Sequence, residues 1–242
     1  MKKNVFKSVA LVAVIALSGV VLTSCNGGGN GNTESKAMPT DGILGSFPQK
    51  YFDCIDGINT ARADMAVGTS EEYKAAKAKL EELQGQLKTM AETEGLASIE
   101  IPTEFAEGIP FKVLKPLVIT KVEDRQLTLQ AQVESTDAVD QYAAYGYGYL
   151  VAYDTDGKPF SVGQHGTYAP EGGASNWAAG TKGTLTIYLS FAAFNVEGLA
   201  RLGKLLIVTN KSEEMKQAAA AISELQSAAM AKTKEALEKL EK

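Results

Sequence analysis

Histidine and cysteine are almost missing from this chain. Its 242 residues include one histidine, His165, and two cysteines, Cys25 and Cys54. A lone histidine has no partner with which to hold a metal or complete a Ser-His or Cys-His pair, so a solvated loop residue in Gln164-His165-Gly166 is expected. No HExxH, GxSxG or CxxC spacing occurs. These absences leave nucleophilic and metal-assisted catalysis without visible machinery, and the expectation is a non-enzyme that uses no metal and no cofactor. Clustered basic residues are lacking too. With 24 Lys and Arg against 29 Asp and Glu, the chain is poorly suited to neutralising phosphates, and no nucleic-acid partner is expected.

What is present begins at the N-terminus. Lys2, Lys3 and Lys7 stand without an acid before the apolar run from Val9 to Leu17, which resumes at Val20, Val21 and Leu22. A basic region followed by a short apolar one is a secretory pattern, marginal for a membrane span of about 20 residues. Leu22-Thr23-Ser24-Cys25 closes it. These four residues resemble the lipobox of bacterial lipoproteins. The resemblance covers residues 1–25 and implies that residues 1–24 are a cleaved signal peptide. It also implies that Cys25 carries a diacylglycerol on its sulfur and that its new amine is acylated. Each buried CH₂ of such chains contributes about 0.8 kcal/mol to membrane attachment. In the family's sorting scheme an aspartate after the cysteine retains the protein in the inner membrane. Asn26 stands there, and the first acid is Glu34, which implies an outer-membrane location and favours the periplasmic face over the cell surface. Cys54 is then the only free thiol, and the fold must be held by its core. Removing Lys2, Lys3 and Lys7 takes the formal charge of the remainder from −5 to −8.

Residues 25–45 read as a tether. Asn26 to Ser35 is dominated by glycine and short polar residues that cannot offset their ordering entropy. Some 20 flexible residues reach roughly 25 Å. Residues 46–96 read as two helices. Ser46 with Gln49 predicts a capping box, and Tyr51, Cys54, Ile55, Ile58, Ala61 and Met65 recur at helical spacing. Cys54 on that stripe reads as a packed thiol. A break is expected at Val67-Gly68, followed by a second capping box, Thr69 with Glu72. Tyr73, Ala76, Leu80, Leu83, Leu87 and Met90 form a narrow seam suited to one partner helix, and Gly95 is the stop. Residues 211–242 read as a third helix, capped by Asn210 or Ser212. Two readings compete for the seams: a hairpin of N-terminal and C-terminal helices forming a stalk, or a homo-oligomeric coiled coil. The hairpin is favoured, because two seams in one chain can satisfy each other.

Between the helices, over residues 97–210, the hydrophobic period changes to two. Leu127, Leu129, Ala131 and Val133 alternate with polar residues, as do Leu185, Ile187, Leu189 and Phe191. Such alternation predicts antiparallel strands with one wet face. Further strands are expected over 111–122, 145–153, 159–164 and 204–209, with Pro116 marking an edge or a bulge. A helical turn is expected over 195–202. Asp154-Thr155-Asp156-Gly157 resembles the start of a calcium loop, but His165 occupies the twelfth position, where a bidentate glutamate belongs, so a tight turn is expected. The run Val151 to Lys158, with Gly180-Thr181-Lys182-Gly183, resembles the immunoglobulin-like domains of small envelope lipoproteins. The expected fold class is therefore α+β: an antiparallel immunoglobulin-like β-sandwich with a helical stalk.

Tyr145-Gly146-Tyr147-Gly148-Tyr149 is the most unusual stretch. As a strand it would place the three tyrosines on one face with Val151 and Tyr153. Exposed, Tyr145, Tyr147, Tyr149 and Tyr153 could stack on sugars or receive a protein partner, with Trp177 extending the surface. Packed, they would lie under the helices or the second sheet. Four rings are much apolar area to leave wet, which favours packing. The function expected is a lipid-anchored envelope protein with a structural or protein-binding role. The alternative is a glycan- or ligand-binding lipoprotein using the tyrosine face.

Overall fold

The computed structural model describes residues 37–124, 126–164, 166–173, 176–190 and 196–240. Residues 1–24, Cys25 and His165 lie outside them. The chain is α+β. Two helices come first, α1 (Phe47–Val67) and α2 (Ser70–Thr93). Ten strands follow: β1 (Thr103–Phe105), β2 (Phe111–Val122), β3 (Gln126–Ser135), β4 (Val139–Asp140), β5 (Tyr149–Asp154), β6 (Pro159–Gln164), β7 (Gly166–Pro170), β8 (Asn176–Trp177), β9 (Lys182–Ser190) and β10 (Leu202–Val208). Short helices α3 (Gln141–Ala144) and α4 (Val196–Ala200) interrupt them, and α5 (Glu213–Leu240) ends the described chain.

Eight of these strands build two four-stranded sheets, ordered β1-β10-β5-β6 and β2-β3-β9-β7, and β4 pairs with β8 in a third. Leu150, Ala152, Leu205 and Ile207 from the first sheet join Leu127, Leu129, Leu185 and Ile187 from the second in one buried cluster, the arrangement of a β-sandwich. The two alternating segments pair antiparallel without a register shift, from Gln126 opposite Ser190 to Glu134 opposite Lys182. On the edge strand β2 the register slips between Val113 and Lys115 and again before Val118, which is how the strand accommodates Pro116. Gly157 turns β5 into β6 with φ +76°.

Thr69 and Glu72 form the expected reciprocal cap, the Thr69 amide donating to Glu72 Oε2 at 2.7 Å. Ser46 makes no side-chain cap. Gln49 instead accepts from the Met38 amide and donates to Asp53. Cys54 is buried and donates to the Leu83 carbonyl; burial pushes its thiol up.

Two expectations are corrected. The tether does not extend to residue 45. Met38 donates to Gln49, Ile43 donates to the Leu202 carbonyl at 3.0 Å, and Leu44 is buried, so residues from Met38 onward already dock on the fold. Nor do the N-terminal and C-terminal helices form a hairpin. The two-residue link at Gly68-Thr69 makes α1 and α2 antiparallel neighbours, and their seams satisfy each other and the sandwich core. The C-terminal helix, capped by Ser212, lies on the outer face of β5 and β6. There Ala218 and Met215 cover Val151 and Val208. Beyond this contact Leu225 and Met230 are exposed.

Candidate functional site

The tyrosine-rich stretch was expected as one strand and is not. Tyr145–Tyr147 forms a 3-10 turn, and β5 starts only at Tyr149. Two facts explain this. Asp140 caps the preceding turn, accepting from the amides of Tyr142 and Ala143. Gly148 then passes so close to Gly166 that the Gly166 amide reaches the Gly148 carbonyl at 2.7 Å. A Cβ on Gly148 would lie 2.1 Å from the Gly166 oxygen. That crossing fixes where the turn ends.

The five candidate residues therefore part company. Tyr149 and Tyr153 lie half-buried beside Val151, packed with Met215 and Ala218 beneath the C-terminal helix. Burial, then the nearby Glu214 carboxylate, push the Tyr153 hydroxyl up. Tyr147 turns the other way, half-buried against the main core. Its carbonyl accepts from the Tyr168 hydroxyl at 3.0 Å. Trp177 is not a surface residue: it is 1% exposed, in β8 opposite Val139. Phe111 stacks on Tyr168 at 4.1 Å and meets Trp177 edge-on at 5.0 Å. Of the five, only Tyr145 stays largely outside, at 44% exposure. One helical turn before it stands Tyr142 at 81%, a residue the strand reading left out. Its i,i+3 spacing to Tyr145 becomes visible only once the segment is known to be helical.

A second constellation escaped the sequence reading. Arg201, just after α4, donates from Nε to Asp41 at 3.0 Å and from both terminal nitrogens to Asp156 at 2.6 and 3.0 Å. Thr155 also donates to Asp41. The guanidinium holds the Asp41 and Asp156 carboxyls below the usual range, and they hold Arg201 above its own. Asp154 accepts from the amides of Asp156 and Lys158, so its oxygens shape the turn. The residues span 160 positions of sequence, and no local pattern joins them.

The cluster clasps residues 41–45 to the β5–β6 turn. Gly42 fits there because a Cβ would sit 2.4 Å from the Ala200 oxygen. Arg201→Ala is expected to speed amide exchange over residues 41–45 while β3 and β9 keep their protection. Unchanged protection at Ile43 would show that the clasp holds nothing. Because the two carboxyl pKa values are depressed, their contribution is present above the ordinary value of about 4 and is lost as pH falls through the lowered values.

The chain matches no family model, and no curated protein or solved structure shows significant similarity to it.

Proposed function

We propose that this is a lipid-anchored cell-envelope protein with a non-catalytic structural or protein-binding role. In this reading Cys25 holds the acyl chains at the periplasmic face of the outer membrane, and an immunoglobulin-like sandwich is carried on a Gly/Asn-rich tether. One observation carries the proposal: basic region, apolar run and Leu22-Thr23-Ser24-Cys25 stand in register. The docking of Met38, Asp41 and Ile43 leaves residues 26–37 as tether, with a reach of roughly 20 Å.

Metabolic labelling with palmitate is expected to mark the parent and to be lost in Cys25→Ala, while the mature parent begins at Cys25. A parent that takes no label and keeps Met1 would remove the anchor. Crosslinking in intact cells then tests for a protein partner. A second reading, glycan or ligand binding through tyrosines, draws on the exposure of Tyr142 and Tyr145. In that case Tyr142→Ala with Tyr145→Ala would weaken capture of the ligand without lowering the melting temperature.

A further inference from the structure

The outer face of the β2-β3-β9-β7 sheet is laid out by its register. Lys112 lies opposite Glu134, which lies opposite Lys182. In the next rows Lys115 faces Gln132 and Thr184, and Val118 faces Gln130 and Thr186. Lys121 then faces Thr128 and Tyr188. At about 4.8 Å between strands and about 6.8 Å between rows, the four rows span roughly 20 Å. Lys115, Lys182, Gln130, Gln132 and Tyr188 are exposed; among the described residues no helix packs on β3, while α2 meets the edge strand β2.

The charge of this face runs against the rest of the molecule. Beyond residue 24 the chain carries a formal −8, yet this face holds four lysines against two glutamates, Glu134 in the grid and Glu123 at its hairpin end. Lys112 is paired with Glu134, and Lys121 with Glu123 at the hairpin. Among the described residues, Lys115 and Lys182 have no ion-pair partner within 4.0 Å. Between the lysine rows stand neutral amides, hydroxyls and the half-buried Val118, with one exposed ring, Tyr188, at the end. This composition is unlike a protein interface, where lysine is depleted and Arg, Met and aromatic residues are enriched. It is also unlike a membrane-inserting face, which needs apolar anchors. We propose that this face binds an acidic polysaccharide of the uronic-acid class. The lysines would pair with its carboxylates, the glutamines and threonines would hydrogen-bond its hydroxyls, and Tyr188 would stack on a sugar ring.

The full chain in mild detergent is titrated with polygalacturonate by calorimetry. Binding is expected, with an affinity that falls as salt rises. Lys115→Glu with Lys182→Glu should weaken it at least tenfold, and Tyr188→Ala should weaken it severalfold. Lys74→Glu with Lys88→Glu makes the same charge change on the exposed side of α2 and should leave binding unaltered. Far-UV circular dichroism checks that the exposed variants fold. Several results would overturn the proposal: no binding by the parent, an equal loss in the α2 control, equal affinity for the methyl-esterified polymer, or equal binding to anionic vesicles. None of these bears on the palmitate label, so the anchor and the glycan face stand or fall separately.

Discussion

Replacing Trp177 with alanine is expected to cost about 3–5 kcal/mol, the range for large buried aromatics. The indole is 1% exposed and packs edge-on against Phe111, whose other contacts are the stacked Tyr168 and the tilted Tyr147. Removing it opens a cavity where β2, β7 and the short β4–β8 pair meet, and rings already stacked can close it only in part. Its Nε1 is buried without a hydrogen-bond partner among the described residues. An unmet donor of that kind costs about 1–3 kcal/mol. Trp177→Phe therefore loses ring volume but no hydrogen bond, and should retain most of the stability. Urea unfolding followed by circular dichroism measures both variants. An alanine variant with the parent's midpoint would mean that Trp177 lies at the surface.

Gly148→Ala is the second large effect. Gly148 has φ −92°, a conformation any residue adopts, so the expected damage is steric alone. The new Cβ would meet the Gly166 oxygen at 2.1 Å and its carbonyl carbon at 2.8 Å. Both are backbone atoms of the residue whose own amide donates to the Gly148 carbonyl at 2.7 Å. Overpacking a core commonly costs about 1–3 kcal/mol, relieved by side-chain movement. Here the obstacle is main chain, so the loss is expected at the top of that range or beyond it. Gly146→Ala is the matched control, since a Cβ there meets nothing within 4 Å. It should stay within about 0.5 kcal/mol of the parent. Equal melting temperatures for the two alanine variants would show that β5 and β7 do not cross so closely.

The glycines in the tyrosine stretch show why its sequence resembles a strand. Its pattern satisfies a period of two, and the one local sign of a turn is the capping Asp140 before it. The distinction comes from Gly166, 18 residues on, which passes against Gly148 and stops the strand at Tyr149. The aromatic rings were legible as apolar area needing cover. Which element would cover each of them was not.

Local chemistry determined much of the rest. The Thr69-Glu72 cap, the break at Gly68, the stop at Gly95 and the Asp156-Gly157 turn are decided by neighbouring side chains and by φ. The alternation in β3 and β9 likewise dictates which side chains face the core. The proposed anchor rests on residues 1–25 alone, through their likeness to a lipobox signal. Tertiary structure decided the partners. Alanine-rich helices and narrow seams accept several neighbours, and a two-residue link gave α1 to α2, leaving the C-terminal helix to the outer face of β5 and β6. Arg201 and Asp41 meet only because β10 brings the two ends of the fold together. The lysine, glutamine and threonine rows become a single face only when four separate strands are set in register, since a strand's sequence specifies its own two sides but not its neighbours.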